Sequence, residues 1–466
     1  MTNAIEELSG SLKGKFKGDL LHPIDPGYAE ARTIWNAMVA RNPGLIARCA
    51  DVADVQTVVR CAAAVGALTA VRCGGHSLAG FSTCDGGLVI DLSRLRSVSV
   101  DEGSCRARAA GGCLLGTIDC ATQKAGLIFP AGVVSHTGAA GLILGGGTGW
   151  LTRLLGLSCD NVEGFTLVTA DGSLLHADAR ENTDLFWALR GGGGNFGVVT
   201  EFELKLHPLT SVLIGNGLCM GDEIFNVLRY WREFMPGAPD ELKWNVNLRL
   251  APDFPGVPAE VRGRPVLSQT VVWFGEEEKG TKFIDHIFSL GKPVGVTRDR
   301  LSFLTLQTMA DAEFPHGRRY YTKSGYFKDL GDDSIRRMVE SLNSVPPGNT
   351  QVELAFLGAA AARVGAAETA FGDRSAPYIM NLLADWSDAS DDAPNVAWVR
   401  NLFAELRPAM KPGVYVNFMS GDEQDRVPEA YSERWERLVA VKSHYDPQNF
   451  FRLNQNIPPH ARGLRP

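Results

Sequence analysis

The sequence predicts an α+β fold in two parts, and three observations carry that reading. From about Arg41 to Pro208 short strand-like and helix-like segments alternate, with glycine clusters set inside apolar sequence. After Pro208 glycine thins, tryptophan and charge increase, and a second set of strands begins, which places a domain boundary near Leu209. At 466 residues the chain also exceeds the roughly 100–200 residues of one domain.

The elements follow in order. Ala53 to Val65 has the spacing of an amphipathic helix, and Leu68 to Arg72 and Leu88 to Leu92 read as strands. Arg106 to Ala110 is strand-like and Leu114 to Lys124 helical. Val162 to Ala170 and Leu174 to Ala177 flank Asp171-Gly172, a pair that favours a tight hairpin turn. Asp184 to Arg190 reads as a short helix capped by Asn182 or Thr183, and Val198 to Leu206 alternates as a half-buried strand does. Beyond the boundary, Val271 to Phe274, Val352 to Leu357 and Ile379 to Ala384 are strand-like, with helices at Ser334 to Leu342 and Ala397 to Leu406.

Hydrophobic residues make up 45% and charged residues 21%, ordinary for a protein with a large core. A net charge of −7 argues against nucleic acid or an anionic membrane as partner, since both select a basic face. Nine cysteines without a C-x-x-C pair read as small buried hydrophobes in a reducing compartment. Nine histidines show no H-x-x-x-H spacing, so no metal is expected. The N-terminal stretch has early acids and no apolar centre, and no run approaches the ~18 apolar residues of a membrane span. A cytoplasmic protein is expected, and its oligomeric state is not legible.

Three glycine loops invite a nucleotide reading: VRCGGHSLAG (71–80), GAAGLILGGGTGW (138–150) and RGGGGNFGVVTEF (190–202). The third contains a formal G-x-G-x-x-G, but its glycines follow a helix and lead into a strand. A Rossmann site needs the reverse order, because the helix N-terminus receives the pyrophosphate. No P-loop is present. Consecutive bare N–H groups still form anion nests, and three such loops suit a long ligand gripped through its pyrophosphate. His76 stands in the first of them.

The segments VRCGGHS, FPAGVVSHTGAAGLILGGGTGWL, CDNVEGFTLVTADG and DLFWALRGGGGNFGVVTEFELKLHP, with YVNF and YDPQNFFRLNQNIPP near the end, resemble the berberine-bridge-enzyme-like branch of the vanillyl-alcohol-oxidase, or PCMH-type, FAD-linked oxidases. The bacterial 6-hydroxynicotine-oxidase type has a similar length. The resemblance implies an N-terminal segment (1–40) joining a two-subdomain FAD-binding domain (41–208). A substrate domain (209–412) with an antiparallel sheet covered by helices follows, and the last segment (413–466) returns to the FAD domain. It also implies FAD extended between the two subdomains, with the flavin 8α carbon bonded to His76. The second attachment found in many members would come from a cysteine at the position of Val134, so a single covalent bond is expected; Cys159 does not match that position. Cofactor contacts are implied for Arg72, Gly74, Gly75, His76, Ser77, Gly80, Thr137, Gly138, Gly141, Leu142, Gly147, Asn161, Gly194, Val198, Tyr415, Asn417, Asn454 and Gln455.

A flavin oxidase passes a hydride to flavin N-5 and a proton to a nearby base. Gln351, Glu353 and Ala355 share one face of a strand by alternation, and Glu353 is the candidate base or substrate anchor. Tyr415 and Asn417 are read as sharing a strand face beside the flavin. Tyr415 would serve as base only if a cation lowered its pKa from the usual ~10, and fold analogy offers Lys323 and Arg319. Thr137 is placed near N-5 and Leu142 beside a dioxygen pocket. The expected function is oxidation of an alcohol, amine or sugar-like carbon of a small substrate, with dioxygen as acceptor. An oxygenase or oxidative cyclase using an oxygenated flavin N-5, a dehydrogenase that excludes dioxygen, and a passive flavin binder are the competing readings.

Overall fold

A computed structural model describes residues 2–253 and 256–460; Met1 and residues 461–466 of the terminal segments lie outside the described residues. The first sheet holds β1 (Asp19–Leu21), β2 (Leu45–Arg48), β3 (Thr69–Arg72) and β4 (Leu88–Asp91) in the order β1-β2-β4-β3. β4 runs parallel to both β2 and β3. The helix Val52–Ala64, started by the Asp51 carboxylate accepting from Asp54 N–H, carries the chain from β2 across to β3 on the far side of β4. The first glycine loop leaves the end of β3.

The second sheet is antiparallel. It comprises β5 (Val98–Asp101), β6 (Arg106–Ala110), β8 (Val162–Val168), β9 (Leu174–Asp178) and β10 (Val198–Lys205), in the order β5-β6-β10-β8-β9. A two-stranded ribbon of β7 (Leu127–Ile128) and β11 (His207–Pro208) closes this part. Its core joins the helices Leu115–Thr122, Ala139–Leu144 and Thr183–Leu189 to the late helix Trp435–Tyr445. The helix expected from Leu114 to Lys124 tightens at Gln123 into a 3-10 turn and stops at Gly126, which has φ 67°. Asn182 occupies the N-cap of Thr183–Leu189 in the left-handed region, but its amide donates to the His176 carbonyl instead of capping.

The third sheet has seven strands: β12 (Ser211–Cys219), β13 (Leu242–Leu250), β14 (Pro265–Trp273), β15 (Val294–Ser302), β16 (Arg319–Phe327), β17 (Gln351–Phe356) and β18 (Tyr378–Trp386). Their order is β15-β12-β14-β13-β17-β18-β16, antiparallel throughout. The helices Glu223–Phe234, Glu277–Phe288, Asp332–Ser341 and Asp392–Leu406 cover one face, where Trp244, Val246 and Leu248 of β13 are buried. Period-two alternation turns Lys243, Asn245, Asn247 and Arg249 to the other face, which is open to a cavity.

The C-terminal segment is pinned back onto the third glycine loop. Lys442, fully buried, pairs with Asp446 at 2.6 Å and donates to the carbonyls of Asn195 and Phe451. Asn195 in turn donates to the Gln455 carbonyl and accepts from Ile457 N–H. A buried ammonium with its counter-charge and two further acceptors has its desolvation offset, so the loop and the tail are held as one unit.

Candidate functional site

One cavity of about 1360 Å³ runs from the glycine loops to the open face of the third sheet. It exceeds the ~300–1,000 Å³ usual for a single small ligand, and two different walls line it. One wall is main chain and small residues: Gly74, Gly75, His76, Ser77, Thr137, Gly138, Gly141, Leu142, Gly194 and Val198, with Asn454 and Gln455 from the tail. The other is the sheet face bearing Glu353, with Tyr415 and Asn417 at the junction.

The first wall fits an extended dinucleotide. Gly74 and Gly138 touch backbone to backbone, since a Cβ on either would lie 2.3 Å from the other's nitrogen. Two of the glycine loops are thereby brought side by side. At Gly141 and Gly194 a Cβ would meet nothing within 4 Å, so bare backbone faces open space there. Asn454 contributes a buried Oδ1 with no partner among the described residues, and a buried acceptor of that kind is costly unless a ligand or water supplies a donor.

Four residues expected at the cofactor do not line the cavity. Arg72 pairs with Asp91 at 2.6 Å and donates to the Ala31 carbonyl, so it braces the start of the first loop. Gly80 packs against Val39. Gly147 donates its N–H to the Tyr415 hydroxyl at 3.0 Å. Asn161 is buried, holding the Leu155 and Leu157 carbonyls and His207. Each is polar or small because of a contact within the protein, most of them distant in sequence.

His76 is stacked on Trp35, with ring centroids 4.8 Å apart, and Trp35 is stacked in turn on Tyr320 at 3.7 Å. His76 Nε2 lies 2.7 Å from His136 Nδ1, and His316 closes a group whose ring nitrogens fall within 4.8 Å of one another. Local spacing had suggested no histidine cluster. The three come from distant parts of the chain, which a spacing motif does not register. Burial, then the neighbouring imidazoles of His136 and His316, hold His76 well below the usual histidine range, so it is neutral at pH 7.

Glu353 sits on β17 opposite Asn247 of β13 and Asn381 of β18. Asn381 Nδ2 donates to one carboxylate oxygen at 2.7 Å and Gln351 Nε2 to the other at 3.2 Å. Burial raises the carboxyl above its ordinary pKa, while the Asn381 amide pulls it down. The result is an oriented, hydrogen-bonded carboxylate of raised basicity facing the cavity.

Tyr415 and Asn417 do not share a strand. Asn417 lies in the 3-10 turn Val416–Phe418, which Tyr415 precedes, because the tail here folds over the glycine loop instead of joining a sheet. The Tyr415 hydroxyl accepts from Gly147 N–H and from Asn417 Nδ2 at 2.9 Å, and Asn417 also donates to the Leu142 carbonyl. Burial pushes Tyr415 up to about 12. The cations suggested by analogy are engaged elsewhere: Lys323 with Asp422 and Glu423, Arg319 with Asp392. Tyr415 is therefore placed as a positioning residue.

Val134, the position at which the resemblance implied a cysteine for a second attachment, lines the cavity. Cys159 is fully buried and absent from the lining. Cys73 does reach the lining, but its thiol donates to the Cys113 carbonyl and burial pushes it up to about 11. The sequence reading missed Trp35, Lys243 and Asn381 as cavity residues; the alternation of LKWNVNLRL along β13 was the available signal for Lys243. Among the described residues no helix is long and apolar enough to cross a membrane.

Residues 43–178 match the FAD binding domain family, and residues 414–458 match the berberine and berberine like family. An FAD-linked oxidoreductase of Dictyostelium discoideum is 32% identical over 91% of this chain and 91% of its own length. (R)-6-hydroxynicotine oxidase of Paenarthrobacter nicotinovorans is 30% identical over 95% of this chain and 97% of its own. The solved structure of 6-hydroxy-D-nicotine oxidase from Arthrobacter nicotinovorans matches with a TM-score of 0.84 and 29% identity, covering 96% of this chain and 98% of that one. Relatives this similar over almost their whole length, with both family regions in their expected places, mean that the chain belongs to the FAD-linked oxidoreductases of the berberine-bridge-enzyme-like family.

Proposed function

We propose that this oxidoreductase carries its FAD on a single covalent bond from His76 and oxidises an alcohol, amine or sugar-like carbon of a small substrate, with dioxygen as acceptor and hydrogen peroxide as product. The observation that carries the reading is the pairing of a neutral, half-buried His76 in the glycine-loop wall with an oriented Glu353 on the facing wall of the same cavity. A neutral imidazole offers a ring-nitrogen lone pair, which bond formation to the cofactor requires.

Bound flavin would supply the hydride acceptor and the site of reoxidation by dioxygen. The protein's own part is proton handling and placement. Glu353 takes the proton from the substrate hydroxyl or N–H. Asn381 and Gln351 hold its two oxygens in place, so little reorganisation accompanies the transfer. Gly74, Gly75, Gly138, Gly141 and Gly194 bind through main chain, Thr137 and Leu142 line the cavity beside them, and Tyr415 with Asn417 fixes the helix Ala139–Leu144 that carries Leu142. A relative named for 6-hydroxynicotine oxidation supports the small-substrate reading.

The test is anaerobic mixing with a substrate panel followed by exposure to air. Bleaching of the flavin by substrate, then stoichiometric peroxide on reoxidation, is the expected result. Reduction without peroxide would point to a dehydrogenase, and labelled dioxygen appearing in product would point to an oxygenase.

A further inference from the structure

The cavity has a second chemical feature, away from His76 and Glu353. Lys243 of β13 is only 5% exposed and lines the cavity on the same face as Asn245, Asn247 and Arg249. Among the described residues its ammonium makes no hydrogen bond and no ion pair, whereas the cations farther along that wall are neutralised. Arg249 pairs with Glu313 at 3.1 Å, and Arg318 pairs with Asp385.

The surroundings of Lys243 deepen the deficit of negative charge. Its cross-strand neighbour on β14 is Val272. Behind it, on the helix Thr152–Leu155, stands Arg153, which is 2% exposed. Arg153 donates to the carbonyls of Leu242, Ala238 and Pro239, and its Nη1 is buried without a partner. Asp240, the acid that acts on Arg153, is already bound to Arg363. Burial, then Arg153, lowers Lys243 to about 8. Lys243 therefore faces the cavity with no carboxylate partner, and Arg153, which does not itself line the cavity, adds a second positive charge nearby.

We propose, on the reading of this cavity as the flavin and substrate site, that Lys243 anchors an anionic group of the substrate, a carboxylate, and that the substrate is an organic acid. A buried charge without a counter-charge is costly and is resolved by neutralisation or by a bound ion. A ligand carboxylate at Lys243 supplies the missing charge and accepts its three N–H donors. The geometry also sets a length. Asn247 lies opposite Glu353, and Lys243 is four residues along the strand, about 13 Å at the backbone. The flexible lysine stem covers part of that span, so the acid group lies well removed from the carbon that reacts near Glu353. Asn245 falls between them, and its unpartnered Oδ1 offers an acceptor to a hydroxyl or N–H on the intervening part of the ligand.

The probes are trans-cinnamate and its neutral counterpart of the same shape, cinnamamide. Binding to the purified holoenzyme is read as perturbation of the flavin absorbance. Tryptophan fluorescence, with Trp150 in the cavity wall, gives a parallel reading that also works in flavin-free protein. Wild type should bind cinnamate at least tenfold more tightly than cinnamamide at pH 7. That preference should decay about tenfold per pH unit once the lysine is deprotonated. Lys243→Met should abolish the preference and leave cinnamamide binding unchanged, while Lys243→Arg restores it.

Equal binding of acid and amide by wild type, no binding of cinnamate, or an undiminished preference in Lys243→Met would overturn the anchor. Loss of FAD from Lys243→Met would assign the cation to the cofactor and overturn it equally. Wild type purified without any flavin would instead defeat the functional reading, and the fluorescence titration would still decide the anchor.

Discussion

Asn381 reaches across the β17–β18 ladder and donates its amide to Glu353 Oε2 at 2.7 Å. The two side chains are held face to face by the register of the sheet, so the carboxylate points into the cavity without depending on loop conformation. Glu353→Gln preserves shape and removes the base. Flavin reduction by substrate is expected to slow by about 10²–10⁴-fold, with flavin content and Tm nearly unchanged; stopped-flow reduction under anaerobic conditions reads it. Wild-type rates in the variant would remove Glu353 from the mechanism.

The same carboxyl predicts a pH profile. A base acts only when deprotonated, and burial raises Glu353 above the ordinary 4.5. The reduction rate should therefore fall with decreasing pH through a midpoint higher than that value. Asn381→Leu removes the hydrogen bond that stabilises the charged form and should move the midpoint higher still. A midpoint that stays put or drops in this variant contradicts the assigned role of Asn381.

Tyr415→Phe should behave differently from Glu353→Gln. The hydroxyl accepts from Gly147 N–H and Asn417, and its loss leaves two donors unpaired at about 1–3 kcal/mol each. Lower thermal stability and a smaller loss of reduction rate than in Glu353→Gln are expected. A larger rate loss with unchanged stability would make the tyrosine the base.

His76 also predicts how the flavin-free protein responds to acid. An imidazole kept neutral by burial has a folded pKa below its unfolded value of about 6.5, so unfolding takes up a proton as the pH falls below that value. Its contribution to stability is present above pH 6.5 and is lost progressively on acidification. Urea unfolding of flavin-free His76→Gln should show a shallower fall between pH 7 and pH 5 than flavin-free wild type. Identical slopes would mean that the imidazole is not held neutral.

Much of the FAD-binding part was legible because its signals are local. The strand Arg106–Ala110 and the hairpin around Asp171-Gly172 follow from alternation and turn chemistry. The third sheet was harder to read. β12, β13, β15 and β16 went unpredicted for different reasons: β13 (LKWNVNLRL) carries the alternation but was passed over, β12 is interrupted by Gly215 and Gly217, β15 is a largely exposed charged edge, and β16 is buried along nearly its whole length and shows no alternation. Glycines and polar residues within the motifs did not separate by role. Gly74 and Asn454 reach the cavity, while Gly80 and Asn161 serve packing, and only tertiary contacts distinguish them. The histidine group around His76 spans residues 76 to 316 and has no local signature at all.

The attachment of the flavin is the central claim, and intact-mass analysis of the denatured chain tests it most directly. Wild type should carry the mass of one FAD after acid denaturation, on the peptide containing His76 and on none containing Cys73 or Cys159. His76→Ala should have the bare chain mass, even where it binds FAD in its native state. A wild-type chain of bare mass, or flavin found on a cysteine peptide, would contradict the account.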